Sequence, residues 1–381
     1  MKRSTDRILT THTGSLPRPP KLVELLQVQM AQPDSSHEEL DSSITDAIND
    51  VVSRQCAAGL DIINDGEQGR KDYTVHVMDR LNGFKGEIAP PLGTGDPEFP
   101  ELAELLSEFS SPFQIRPACN GPISWKDWPA VGKEIDRAKT ALSPVKSEDM
   151  FMTCPSPGQI ARYLKNQYYG DDETYLFTLA EIMSRNYEAI AAAGFILQLD
   201  CPDLAMCRHT IYPDIPIEDY RKIIRTHVEA LNLSLKNIPA EQTRMHVCWG
   251  STMGPHHTDV PFREIVDIVL MAKPMAVSFP AANPRHGHEW KIWKDVKLPD
   301  GKILIPGVID STSNFVEHPE LVADRILQYC DCVGSENVIA GVDCGFGTFA
   351  GRVQVDRNIV WMKLSSLVEG AELASHVMKQ T

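Results

Sequence analysis

"TYLFTLAEIMSRNYEAIAAAGFILQLDCP", from Thr174 to Pro202, contains the unit from which the rest of the chain is built. A long helical stretch comes first, Gly194 interrupts it, and "ILQLDCP" from Ile196 follows as a short apolar run ending in polar residues. Such a brief run suits a strand buried on both faces of a parallel sheet. A glycine at the join supplies the stop that ends the helix. Working outward, seven more runs fit the strand half of the unit: "ILTTH" from Ile8, "LDIIND" from Leu60, "MFMTCP" from Met150, "MHVCW" from Met245, "AVSFP" from Ala276, "ILIPGVID" from Ile303 and "VIAGVDCGF" from Val338.

Amphipathic stretches lie between these runs. "SSITDAINDVVSRQCAAG" places Ile44, Ala47, Ile48, Val51 and Val52 on one face, with an Asp/Ser cap at its start and Gly59 as a stop. "IEDYRKIIRTHVEALNLSLKNI" and "HPELVADRILQYCDCVG" repeat the alternation. Helix–Gly–strand recurring this often predicts βα units with right-handed crossovers and a parallel sheet. Eight strands favour an α/β fold of the closed (β/α)8 TIM-barrel kind over an open doubly wound sheet. No G-x-G-x-x-G or P-loop fingerprint follows any of the strands, which counts against a nucleotide-binding sheet. Residues 85–150, rich in Pro and Gly, break the rhythm and read as an insertion or lid within a single barrel domain spanning 1–381.

Composition agrees with one large globular barrel: 381 residues, 42% hydrophobic and 23% charged. A formal net charge of −15 argues against nucleic-acid or anionic-membrane binding through a broad basic face. No apolar run approaches the ~18 residues of a membrane span. The first residues lack the apolar core of a signal peptide, so the expected location is cytoplasmic. Nine cysteines, an odd number, read as buried thiols plus a few ligands rather than a disulfide framework. Acidic barrels of this size often pair, so a homo-oligomer is compatible with the sequence.

In a barrel, chemistry collects where the strands end at their C-terminal face. The polar residues there are Thr11-His12-Thr13-Gly14-Ser15, Asp65-Gly66-Glu67, Asp200, His246 with Cys248, and Asp343-Cys344. His246 and Cys248 are two apart on a strand and point the same way. Cys344 ends another strand, before the flexible Gly345-Phe346-Gly347. The three supply one nitrogen and two sulfurs, a donor set suited to zinc with one coordination position left for substrate. Isolated His-x-Cys spacings also arise by chance, and a lone buried Cys is commonly a core residue. Two thiolates make zinc electron-rich, which suits deprotonating a substrate thiol while keeping it nucleophilic. Water activation relies more on His and carboxylate ligands. The chemistry favoured by the set is alkyl transfer to sulfur.

Taken in order, "TTHTGSLPRP", "GLDIINDGEQGRKD", "LQLDCP", "MHVCWG" and "VDCGFGT" resemble the catalytic barrel of cobalamin-independent methionine synthase. They resemble more closely its short single-barrel relatives, which include epoxyalkane:coenzyme M transferase. The likeness runs from Ile8 to about Ser375. It implies zinc held by His246, Cys248 and Cys344, a substrate-binding turn at Gly14 and Ser15, and a substrate amino group gripped by Glu67 and Asp200. The plain alternative for those two acids is a salt bridge to Arg18, Arg70 or Lys71.

Several positions depart from the family pattern. A fourth ligand, Glu in the synthases, is replaced by Pro280, and Glu289, His286 and His288 are candidates to take its place. On the folate side, Met206 stands where an acid is expected, Arg162 and Tyr163 stand near the missing aromatic platform, and Thr312 replaces a proton-donating histidine. His318, the nearest imidazole, reads as a helix-start residue. The expected function is therefore zinc-dependent methyl transfer to a small thiol such as homocysteine from an alkyl donor. The first alternative is epoxide opening by a coenzyme M-like thiol, with Arg18, Arg70 or Arg116 facing the sulfonate. The others are a metal-free lyase in the manner of uroporphyrinogen decarboxylase, and a non-catalytic zinc or thiol-binding module. His256-His257 reads as a solvated loop pair, Cys330 and Cys332 as core thiols, and the tryptophans as structural.

Overall fold

Each of the eight apolar runs forms a strand, and the strands lie side by side and parallel in a computed structural model describing residues 1–32, 38–88, 98–107 and 116–380. The chain runs β1 (Leu9–Thr10), α1 (Pro20–Ala31), α2 (Glu38–Ala58), β2 (Ile62–Ile63), β3 (Leu81–Ile88), α3 (Pro100–Ser107), β4 (Pro117–Trp125), α4 (Trp128–Leu142), β5 (Asp149–Pro155), α5 (Pro157–Tyr163) and α6 (Asp172–Ala192). It continues through β6 (Ile196–Asp200), α7 (Cys207–Thr210), α8 (Ile217–Ser234), β7 (Thr243–His246), α9 (Val266–Leu270), β8 (Ala276–Phe279), β9 (Ile303–Ile309), α10 (Pro319–Val333), β10 (Ile339–Val342) and α11 (Arg357–Gln380).

The sheet order is β1-β10-β9-β8-β7-β6-β5-β2, and a parallel bridge between Thr11 and Ile62 joins its two ends. That seam is narrow, and side chains reinforce it. Asp61 accepts from Thr10 N–H at 2.8 Å and pairs with Arg7, and Thr11 Oγ1 donates to Ile62 O at 3.1 Å. The result is the (β/α)8 barrel expected from the strand count. The crossover after β8 departs from the ideal, since it carries only a 3-10 turn, Glu289–Lys294.

Gly194, at φ 94°, ends α6 as its position in the sequence requires. The start of α2 differs from the expected cap. The helix is already formed at Glu38, so Asp41 lies inside it and pairs with Lys133 and Arg137 of α4 instead. The Pro/Gly-rich stretch 85–150 divides among an antiparallel β3–β4 hairpin, α3, the wall helix α4 and the first residues of β5, with 89–97 and 108–115 outside the described residues.

Period-2 alternation sorts the barrel interior into layers. At the bottom, Leu9, Ile62, Phe151, Ile196, Ala276, Ile303, Ile305 and Ile339 form an apolar cluster of their own. Above it, beside β1, β6 and β7, the interior turns polar at Thr11, Gln198 and Arg244. Arg244, 1% exposed, lies 3.5 Å over the Phe151 ring and donates to Gln198 Oε1 (2.7 Å), Thr11 Oγ1 (3.0 Å) and His12 O (2.8 Å). Two residues further still stand Asp200 and His246, paired in register on β6 and β7. Thus the arginine stitches β1 to β6 and β7 directly beneath the strand ends.

Arg244→Met keeps the bulk but leaves three buried acceptors without their donor. We expect it to lower stability by about 3 kcal/mol. Urea unfolding monitored by circular dichroism measures the loss, and a change within about 0.5 kcal/mol would show that the network is not structural.

Candidate metal and thiol site

The side chains continuing from the polar layer converge at the C-terminal mouth. Arg244 and His246 on β7 are followed two residues past its end by Cys248, and Cys344 follows β10. The ligand atoms of His246, Cys248 and Cys344 all lie within 4.8 Å of one another, and all three residues are buried. Cys248 Sγ is 2.8 Å from Cys344 Sγ, and Cys344 Sγ is 3.5 Å from His246 Nε2. The sulfur separation is well beyond the ~2.05 Å of a disulfide, so both thiols are free. His246 Nδ1 lies 3.1 Å from Ser278 Oγ, a contact that turns Nε2 toward the sulfurs.

Hydrogen bonding from Cys344 pulls the Cys248 thiol well below its ordinary range, with His246 and the Gly250 N–H adding to the pull against burial. The Cys344 thiol is pushed well up by the same hydrogen bond and by burial. Two sulfurs and an imidazole nitrogen thus face one another in a buried pocket, where a divalent cation could take the place of thiol protons. This donor set fits zinc. Among the described residues, no fourth His, Cys, Asp or Glu joins the group. Pro280 occupies the inward position two residues beyond Ser278 and offers no donor. The proposed substitutes are committed elsewhere: His286 bonds Asp259 and Glu289, and His288 is exposed.

The cleft over these donors is lined in part by Ser15, Glu67, Asp72, Tyr73, Arg116, Tyr163, Asp200, Met206, Thr348, Phe349 and Arg352. Glu67 holds a positive φ of 55°, a costly conformation for a residue with a side chain. Asp65 Oδ1 accepts its N–H at 3.1 Å, while Arg18 (2.7 Å) and the Arg70 N–H (3.0 Å) donate to its carbonyl. Thr153 Oγ1 donates to Glu67 Oε1 at 2.8 Å, whereas the buried Oε2 has no hydrogen-bond partner among the described residues. At Gly14, a side chain would sit 2.7 Å from Thr153 Cγ2 and 2.8 Å from Glu67 Oε1, so the bare backbone lets the acid approach the turn. Ser15 is buried in the wall beside Gly345.

The salt-bridge reading of the two acids is overturned among the described residues. Arg70 pairs with Glu134 and Lys71 with Asp79, while Arg18 donates to the carbonyls of Gly347 and Glu67. Burial pushes the Asp200 carboxyl up to about 7, and nearby Glu67 adds to the rise. Gln198 Nε2 donates to Asp200 Oδ1 at 2.8 Å. Two carboxyls facing one cleft, with no ion-pair partner among the described residues, could receive a cation there.

The opposite wall is aromatic and basic. Tyr73 meets Tyr163 and Phe349 edge-on at 6.1 and 5.9 Å, and Arg116 lies over the Tyr163 ring at 5.4 Å. Of the three arginines considered for a sulfonate, Arg116 lines the cleft; Arg18 and Arg70 do not. Arg352, Tyr73 and Phe349 escaped the sequence reading because they follow strand ends by many residues. The lone signal was their closeness to "GRKD" and "VDCGFGT". His318 caps α10, its ring accepting from the Glu320 N–H at 3.3 Å, and His12 bonds Gln55 at 2.8 Å under the site.

Comparison with known proteins agrees with this architecture. A family model described as the catalytic domain of cobalamin-independent synthase matches residues 8–89. A methionine synthase from Saccharolobus solfataricus is 26% identical over 376 residues, covering 97% of this chain and 96% of that protein. One from Sulfurisphaera tokodaii is 26% identical over 373 residues, covering 97% and 93%. A solved B12-independent methionine synthase from Shewanella sp. W3-18-1 superposes with a TM-score of 0.74 at 19% identity, covering 98% of this chain and all of that one, and so shares the fold.

Asp200 keeps its proton below about pH 7 and becomes an anion above it. An amino-thiol is therefore expected to bind more tightly as pH rises through about 7, and Asp200→Asn flattens the rise. Calorimetric titration against the same thiol lacking its amino group isolates the effect. Identical pH profiles for the two ligands would contradict the cation-receptor role.

Proposed function

We propose, from the kinship with cobalamin-independent methionine synthases that these likenesses support, that this protein is a zinc-dependent S-methyltransferase acting on a small amino-thiol such as homocysteine. The observation that carries the reading is the meeting of one imidazole and two thiols at 4.8 Å or less, beside two buried acids without ion-pair partners among the described residues. When bound, zinc would supply a positive centre that favours the thiolate form of an incoming thiol.

The chain's own residues do the rest. His246, Cys248 and Cys344 would hold the metal, with Ser278 orienting the ring of His246. Glu67 and Asp200 bind and orient the substrate ammonium group, and the Gly14-Ser15 turn sets the floor on which it rests. Fixing the acceptor in this way converts a bimolecular encounter into an oriented one. The aromatic and basic wall formed by Tyr73, Tyr163, Phe349, Arg116 and Arg352 faces the remaining space, where the methyl donor would lie. The acids weigh against a sulfonate-bearing acceptor at the same spot, because like charges would meet. The sulfur pair weighs against the metal-free lyase reading, which gives His246, Cys248 and Cys344 no work.

Purified protein is expected to carry about one zinc per chain and to form methionine from homocysteine and a methyl donor. Cys248→Ser and Cys344→Ser should each lose the metal and at least a hundredfold in rate. Metal analysis and mass spectrometry of the product check both. Full activity in metal-stripped protein would contradict the reading.

A further inference from the structure

Asp259 lies on the loop that leaves β7, and its side chain is only 2% exposed. Three imidazoles surround it. Asp259 Oδ2 is hydrogen-bonded to His256 Nδ1 at 2.7 Å and to His286 Nε2 at 3.0 Å, while His209 Nδ1 faces Oδ1 at 3.2 Å without a hydrogen bond to it. His209 belongs to α7 after β6, His256 to the loop after β7, and His286 to the loop after β8. One carboxylate thus bonds the loops after β7 and β8 to each other and sets them against α7, whose His209 lies within ion-pair distance, at the barrel mouth.

The links continue to the cleft. His256 Nε2 is 3.2 Å from both Thr252 Oγ1 and Thr252 O, and Thr252 lines the cleft with Gly250 and Ser251. Met206 and Thr210, flanking His209, line it from the other side. Trp249, next to Cys248, packs on the His286 ring at 4.3 Å and donates to Val260 O at 2.7 Å. Glu289 bonds His286 Nδ1 at 2.8 Å and accepts from the Phe262 N–H at 2.7 Å. His256, far from solvated, has a positive φ of 55°, a strain this network holds in place. The cluster is not a second metal centre: among the described residues, the His246 group alone has ligand spacing.

We propose that Asp259, with His209, His256 and His286, is a positioning hub that fixes the Gly250–Thr252 wall of the cleft against α7 so that an acceptor thiol is received in one orientation. The last clause rests on the thiol-acceptor reading above; the clamp itself does not. The charged and titratable groups facing the hub are Asp259, Glu289, His209, His256 and His286, with Arg162 and Cys248 beyond His209 and Tyr329 beyond Glu289. Burial lowers the His286 imidazolium, but its bonds to Asp259 and Glu289 outweigh this and lift it to about 9. Since its folded value is raised above 6.5, the clamp from His286 is complete below pH 6.5 and is lost as pH rises through about 9.

Two measurements on the whole protein test the hub. A protonated imidazole quenches an indole it touches, so tryptophan emission should rise as pH passes about 9. Glu289→Gln should move that rise about one pH unit lower, and His286→Gln should abolish it. At neutral pH, Asp259→Asn should speed amide hydrogen exchange about tenfold in segments 203–212 and 248–262 while leaving the barrel strands protected. Persistence of the emission rise in His286→Gln, or exchange in Asp259→Asn that is unchanged or faster everywhere alike, overturns the clamp. Cobalt-loaded protein titrated with homocysteine then reads its purpose. A tenfold weaker response in Asp259→Asn at equal metal content supports orientation of the thiol, and equal affinity refutes it. Silence from the wild-type protein itself would instead strike the acceptor reading, leaving exchange and emission to judge the hub.

Discussion

Closure of the eight-stranded sheet in parallel register is the constraint on which the rest depends. Cys248 and Cys344 are 96 residues apart, yet their sulfurs lie 2.8 Å from one another because β7 and β10 both deliver their ends to the same mouth. The seam that closes the barrel is the short β1–β2 contact, held by Thr11, Asp61 and Arg7. Alternation along each strand then decides which side chains reach the interior, and the mouth inherits whatever the last inward positions hold.

One side of that mouth gathers acids that burial makes costly to ionise, facing the arginines of the opposite wall. Burial pushes Asp200 up to about 7 and Asp343 up to about 7, and Glu67 leaves one buried oxygen without a partner. Asp343 is quieted by the backbone N–H groups of Ala281, Ala282 and Asn283, which tie down the loop after β8. Among the described residues Glu67 has a single hydroxyl donor, Thr153 Oγ1, and Cys248 Sγ a single backbone N–H, that of Gly250. In the proposed function two cations complete this arrangement, a metal at the sulfurs and an ammonium group at the acids. Asp259 shows the opposite case, a buried carboxylate held below its ordinary range by the hydrogen bonds of two imidazoles against the cost of burial.

What could be read from the residues alone follows from how local the governing physics is. Strand runs and Gly194 declare themselves because burial on both faces and a left-handed helix stop leave marks within a few residues. His246 and Cys248 share a direction through the strand period. Cys344 joins them through the fold, and the positions at the ends of other strands point to it. The start of α2 was misjudged because Asp41 and Ser42 look like caps, while Asp41 serves an ion pair with residues of α4 far along the chain. His256 and His286 gave no sign of sharing Asp259, since a hub among separate loops is visible only once they are folded together. The plain salt-bridge reading of Glu67 and Asp200 failed for a similar reason: Arg70 had a better partner in Glu134, on a helix inside the stretch taken as an insertion.

The central claim is that His246, Cys248 and Cys344 hold one metal ion with a position open to a thiol. X-ray absorption at the zinc edge addresses it directly. Zinc-loaded protein should show two sulfur neighbours at about 2.3 Å together with light-atom ligands. Saturation with homocysteine should raise the sulfur count by one. A coordination shell without sulfur, or one that homocysteine leaves unchanged, would contradict the account.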